Sequence, residues 1–305
     1  MSAPPVDVTT PLSAAPHSLA SLTDGEGQLT LSAFKALVRQ ALLLVRSGRT
    51  WPKSKTFNLE HDSRVDATKG ASSCSGRLAK CGWHARSSLH SPDHSHGLKF
   101  HDFREGLAVD HAVKEQQYIH DIVLTDSLGK VQPPSALDGN LIKESRIELF
   151  HTGYNLPVLT GNRDFSQMFL TVEFQPVSKP MSDAHIDEIL ASLEGKGGQA
   201  SDEAAKATDN NGLASFVNIQ LPVKLDNCPE VPKEYVRAYY ASVEMVRQTD
   251  DDGAEWWMAV QSDSSGRIPL MFQEMAMPSK VAPDVPLFIG WAKKDKEDKT
   301  SSNAV

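Results

Sequence analysis

From Leu141 to Ser262 the chain strings strand-forming segments together with little helical periodicity between them. Leu141–Phe150, Phe165–Gln175, Ala214–Val223, Val236–Arg247 and Glu255–Ser262 all read as β-strands. In Phe165–Gln175 the residues Ser166, Met168, Leu170, Val172 and Phe174 share one face, and that face is the more apolar. In Val236–Arg247, Tyr239, Ala241, Val243 and Met245 lie opposite Ser242 and Glu244, whose side reads as a solvated face. The charged stretch TDDDGA joins the last two strands as a hairpin.

Helical signal brackets this series. Leu31–Arg46 places Leu31, Phe34, Leu37, Val38, Ala41, Leu42 and Val45 at helical spacing and predicts an amphipathic helix. Arg49–Ser75 has no period and reads as a long exposed connection. From Cys81 to His90 residues alternate as in a half-buried strand, with Trp83 facing inward. Phe100–Ile119 predicts one or two helices covering the sheet. Leu270–Ala292 predicts a closing helix that Pro278, Pro283 and Pro286 kink or split. Runs of strands flanked by helices argue for an α+β domain with an antiparallel sheet wrapped around helices.

The remaining segments cannot build a core. The Pro/Ser/Thr-rich start reads as a disordered leader over residues 1–30, not as a signal peptide. Residues 190–212 contain almost no large apolar side chain and read as a disordered insert. Residues 293–305 form a polar tail. One domain over residues 31–292 is the expected organisation.

Composition narrows the function. Of 305 residues 40% are hydrophobic, enough for a sizeable core. Lys and Arg total 31 against 39 for Asp and Glu, a net charge of −8 that disfavours phosphate tracking along nucleic acid. The apolar runs are far shorter than the roughly 18 residues of a membrane span, so any membrane contact is expected to be transient and at the surface. Three cysteines, Cys74, Cys81 and Cys228, and no Asn-x-Ser/Thr site point to a reducing, cytoplasmic setting.

Chemistry-bearing residues are present without the spacing that chemistry needs. Cys74, Cys81, His84, His90, His94, His96 and His101 crowd one region, but not as the closely spaced pairs that hold zinc, so no metal is expected. No Gly-x-Ser-x-Gly elbow and no Gly-rich phosphate loop occurs, so neither a serine hydrolase nor a nucleotide cofactor is supported. Arg163 and Asp164 open a strand, where a charged pair more often fixes a loop than does catalysis. Met271, Met275 and Met277 read as core, although flexible thioethers also suit an adaptable cavity wall.

Several segments together resemble a START-like family of fungi, a domain of unknown function related to the steroidogenic acute regulatory lipid-transfer fold. They are GWHARSSLH (Gly82–His90), ESRIELFHT (Glu144–Thr152), NRDF (Asn162–Phe165), YVRAYYASVEMVRQ (Tyr235–Gln248), EWWMAVQSDSSGRIP (Glu255–Pro269) and VPLFIGW (Val285–Trp291). Their order and spacing agree over Arg77–Trp291, and Leu31–Arg46 resembles an upstream helix of the same domain. Asn162 stands where the family usually has Pro, and the insert at 190–212 is a second departure.

The resemblance implies a helix-grip fold: a curved antiparallel sheet around a C-terminal helix, with an internal hydrophobic cavity. Strand alternation then nominates Trp83, Met168, Leu170, Val172, Tyr239, Val243 and Met245 as wall, with Met271, Met275 and Phe288 from the closing helix. Arg86, His90, Arg163, Asp164 and Glu244 are the polar candidates. A register error of one residue would exchange the whole set on a strand. The function implied is binding, with transfer as an extension, of a lipid or other hydrophobic small molecule without catalysis or cofactor. The alternatives are a cavity enzyme such as a polyketide or terpenoid cyclase, and a regulatory scaffold that recruits protein partners through 190–212.

Overall fold

A computed structural model describes residues 12–72, 76–156, 161–194, 212–230, 234–266 and 268–302. Its strands are β1 (His17–Ser18), β2 (Lys53–Asn58), β3 (Arg64–Gly70), β4 (Trp83–His90), β5 (Ile122–Lys130), β6 (Ile142–Tyr154), β7 (Arg163–Val177), β8 (Leu213–Lys224), β9 (Val236–Arg237), β10 (Tyr239–Gln248) and β11 (Ala254–Asp263). Its helices are α1 (Leu31–Gly48), α2 (Phe100–Leu107), α3 (His111–Tyr118), α4 (Asp183–Leu193), α5 (Leu270–Val281) and α6 (Asp284–Ser302). The sheet runs β2-β3-β4-β11-β10-β8-β7-β6-β5, every neighbouring pair antiparallel. Short β1 and β9 attach in parallel to β8 and β7. This is the α+β helix-grip architecture, a curved sheet closed by C-terminal helices.

The register sorts side chains onto two faces, because strand residues alternate. Val243 pairs with Ile219 and Ala259, and Ile219 pairs with Leu170, so these residues share a face. On it lies α1, started by the Thr30 hydroxyl, which accepts from the Ala33 amide at 3.2 Å. Phe34, Val38, Ala41, Leu42 and Val45 bury the helix against the strands, and α4 adds Ile186 and Ile189 to the same cluster. The last residue of α1 is Gly48, where a Cβ would sit 2.3 Å from the Trp257 ring.

The other face carries α2, α3, α5 and α6. Trp256 meets Phe103 and Phe288 edge to face, the two phenylalanines pack tilted on each other, and the three link α2, β11 and α6. Arg104 of α2 grips Glu173 of β7 with two hydrogen bonds of 2.8 Å, and Arg146 adds a third at 2.7 Å. Glu274 of α5 accepts from Lys69 at 2.8 Å and lies 3.1 Å from the ring nitrogen of His84. Among the described residues no helix is long and apolar enough to cross a membrane.

Four expectations change. The connection expected over 49–75 contains the β2–β3 hairpin. Its edge strand is polar because an outermost strand needs only one paired side, and Val65 and Ala67 of β3 supply the buried residues. From residue 12 the expected leader is packed: Leu12, Ala14, Leu22 and Leu29 are buried, and the Ala14 amide donates to Gln261 at 3.0 Å. The polar tail is helical through Ser302, with Lys296 reaching Asp102 at 3.0 Å and Lys299 reaching Asp295. The first residues of the expected insert belong to α4, while 195–211 lie outside the described residues, as do 1–11 and Cys74. Strand β5, mostly exposed, was not foreseen at all.

Candidate functional site

A cavity of about 230 Å³ lies between the sheet and the helices of its second face. Arg86 and Glu244 form its floor because both pair across to Met258, on neighbouring strands and the same face. Next along β8 stands Asn218, which pairs with Glu244. The roof comes from helices: His111, Glu115 and Tyr118 from α3, Met277 and Val281 from α5, and Asp284 from the start of α6. Tyr154, Arg163, Phe165 and Tyr240 line the cavity toward the β6–β7 end.

The polar floor is tightly wired. Glu244 accepts from the Trp256 indole at 2.7 Å on Oε1 and from the Asn218 amide at 2.9 Å on Oε2. Thr171 donates to Asn218 at 2.8 Å, fixing that amide's orientation. Arg86 lies 4.0 Å from the centroid of the Trp256 ring, and its Nη2 is 3.8 Å from Glu244. His111 donates from Nδ1 to the Leu107 carbonyl at 2.6 Å, which leaves Nε2 to accept from Gln220 at 3.3 Å.

Burial sets the protonation of the roof. It pushes the Asp284 carboxyl up to about 7, with the Arg86 charge opposing and Glu115 and Glu244 adding to the rise. Burial also raises Glu115, against the pull of His111. The phenols of Tyr118, Tyr154 and Tyr240 are raised by burial too, and stay neutral donors. The arrangement offers fixed hydrogen-bond donors, one carboxyl, Asp284, raised to about 7, and apolar patches from Met258, Val260 and Val281.

The nominated residues distribute themselves unevenly. Arg86, Arg163 and Glu244 line the cavity. His90 lies one layer behind, against Phe103 and Trp256, with Ser88 2.8 Å from Nε2, and burial lowers it to about 4. Asp164 points the other way from Arg163 and accepts from Arg237 at 2.7 Å and His151 at 2.9 Å, which hold its carboxyl low despite burial. Arg163 itself donates to the carbonyls of Ser264 at 2.8 Å and Gly161 at 2.7 Å.

None of the nominated apolar wall residues lines the cavity. Trp83, Met168, Leu170, Val172, Val243 and Met245 face α1 on the opposite side of the sheet. Tyr239 is half-buried near Glu230, at 3.4 Å from its hydroxyl. Met271 and Met275 are 64% and 71% exposed, and Phe288 is locked in the aromatic stack. The face was exchanged because both sides of these strands are covered, and the more apolar side serves the helix with the widest apolar stripe. Sequence reading also missed His111, Glu115 and Tyr118. Their spacing of four and three puts them on one helix face, a signal present in HAVKEQQY but invisible to hydrophobic periodicity.

Among the described residues no three His, Cys, Asp or Glu side chains converge to hold a metal. Of the described cysteines, Cys81 and Cys228 are both buried.

A search of curated protein sequences finds no match. In solved structures the fold is similar to the human StAR-related lipid transfer protein 5, with a TM-score of 0.55 at 11% identity over 87% of this chain and 98% of that one. Human STARD10 aligns with a TM-score of 0.48 at 11% identity, over 86% of this chain and 82% of the other. The family model described as a protein of unknown function (DUF3074) matches residues 83–292, which include the cavity-floor strands, α5 and the first half of α6. The chain therefore belongs to the DUF3074 family and has a START-like helix-grip fold.

Proposed function

We propose that the cavity binds a lipid or another hydrophobic small molecule, and that the protein is a non-catalytic carrier of it in a reducing, cytoplasmic compartment. The observation that carries this reading is the cavity between a gripping sheet and its C-terminal helices, in a fold shared with a protein named for lipid transfer. Burying an apolar guest there gains about 25 cal/mol per Å² of apolar surface, so affinity requires no reactive residue. Native mass spectrometry of the purified chain, followed by solvent extraction, tests it. A single extractable adduct is the expected result. A protein that arrives empty and takes up no sterol, phospholipid, fatty acid or polyketide overturns the reading.

One observation favours a second reading, catalysis in the same cavity: a carboxyl raised to about 7 at Asp284 beside Glu115 and Arg86 is suited to proton transfer at neutral pH. Recovery of a chemically altered ligand after incubation, absent with Asp284→Asn, would decide for it.

A further inference from the structure

Arg86 is 1% exposed, yet two of its nitrogens, Nε and Nη1, meet no hydrogen-bond acceptor among the described residues. The third, Nη2, stands 3.8 Å from Glu244, beyond hydrogen-bonding range. Glu244 is already engaged on both oxygens, by Trp256 and Asn218. A guanidinium cannot shed its charge and only donates. Nε and Nη1 are sealed within the protein, whereas Nη2 lies on the cavity side without a hydrogen bond, so the acceptor that completes Arg86 there is something the cavity receives.

The charges around Arg86 select the kind of acceptor. Glu115, Glu244 and Asp284 line the same space, and the other guanidinium on the wall, Arg163, donates to the carbonyls of Ser264 and Gly161. An added carboxylate or phosphate would stand among three carboxyl groups in a low dielectric, which disfavours an anionic guest. A pure hydrocarbon would leave Nη2 unserved. A neutral oxygen brings lone pairs without a charge: a carbonyl brings them alone, and the hydrogen of a hydroxyl finds an acceptor in the carboxyl groups of the same wall. Size restricts the guest further: about 230 Å³ holds roughly eight water-sized groups at ~30 Å³ each. That suits a compact ring system better than a two-chain lipid.

We propose, on the reading that the cavity is a small-molecule site, that its guest is a compact apolar compound bearing a neutral oxygen, carbonyl or hydroxyl, that accepts from Arg86. Its apolar body lies against Met258, Val260, Met277 and Val281. Asp284, when protonated, offers a further donor to the same polar end.

Three probes of matched size test this: 2-acetylnaphthalene (neutral ketone), 2-ethylnaphthalene (hydrocarbon) and 2-naphthoate (anion), titrated into the full chain by calorimetry or tryptophan fluorescence. The ketone is expected to bind about tenfold more tightly than the hydrocarbon, the return on one hydrogen bond to a charged donor, and the anion most weakly. Arg86→Met removes the ketone's advantage over the hydrocarbon. If that variant fails to fold, Arg86→Met with Glu244→Gln removes both charges together and carries the same expectation. Equal binding of ketone and hydrocarbon, tightest binding of naphthoate, or an undiminished ketone advantage in the variant overturns the proposal while leaving the cavity reading intact. Binding of none of the three overturns both.

Discussion

Trp256 and Glu244 are joined by an indole-to-carboxylate hydrogen bond of 2.7 Å across two neighbouring strands, inside the floor of the cavity. The same ring supports the Arg86 guanidinium from below at 4.0 Å. One side chain therefore holds both members of the buried charge pair, through its edge and through its face.

Trp256→Phe keeps most of the ring and removes the donor. Glu244 then loses one of its two short hydrogen bonds while still buried, at a cost of about 1.5–3 kcal/mol. Urea unfolding of the two proteins is the check, and Val260→Ala on the same strand controls for simple loss of apolar volume.

Packing of α2 on α6 rests on one missing side chain. A Cβ at Gly106 would lie 2.4 Å from the Phe288 ring and 2.9 Å from the Trp291 ring, so Gly106→Ala forces the aromatic stack apart and destabilises by about 1–3 kcal/mol. At Gly25 a Cβ meets nothing within 4 Å, and Gly25→Ala is expected to stay within about 0.5 kcal/mol of the parent. Thermal melts of both variants compare the sites directly.

Two buried groups tilt the pH dependence of stability in opposite directions. His90 is lowered in the fold to about 4 from an unfolded value of 6.5, so the unfolded chain binds the extra proton between those values. Its contribution is complete above 6.5 and is lost as pH falls through about 4. Asp284 is raised to about 7 from 3.8, so its contribution is complete below 3.8 and is lost as pH rises toward 7. Between pH 4 and 6.5 the two slopes oppose, each by up to about 1.4 kcal/mol per pH unit. His90→Gln should tilt the profile toward greater stability at acid pH, and Asp284→Asn the other way. Denaturant titrations across that range measure it, and unchanged slopes in both variants would refute the assignment.

Stability and ligand binding should separate by sheet face. Met168 is fully buried against α1, and Met168→Ala should cost about 2–5 kcal/mol with ligand affinity unchanged. Met258 sits on the cavity floor, and Met258→Ala should alter affinity for any guest. Met275, 71% exposed, should tolerate Gln with neither effect. Unfolding and binding measured on the same three preparations distinguish these outcomes.

Much of the architecture was legible in local pattern. The helix at Leu31–Arg46, the alternation in Phe165–Gln175 and the TDDDGA hairpin each express a period that the backbone itself imposes, 3.6 or 2 residues, and each appears where the pattern placed it. The β2–β3 hairpin escaped because edge strands gain their pairing from backbone groups and leave little trace in side-chain hydrophobicity. The buried segment 12–30 escaped because isolated apolar residues such as Leu12 and Leu29 acquire a core only from distant strands.

The sequence by itself determined which residues share a face, since alternation along a strand is a property of the chain. Only the tertiary structure decided which face looks into the cavity. Val243 and Met245 on one side of β10, and Ser242 and Glu244 on the other, are all buried, so hydrophobicity alone does not say which side is walled by a helix and which by a void. The apolar stripe of α1 takes the apolar side because that match removes the most nonpolar surface from water. The polar side is left to close over the cavity, where Trp256, Asn218 and the helix residues Glu115 and Asp284 meet Arg86 and Glu244 from segments far apart in the chain. The sheet register and the packing of α3 and α6 bring those partners together, and no local period encodes that meeting.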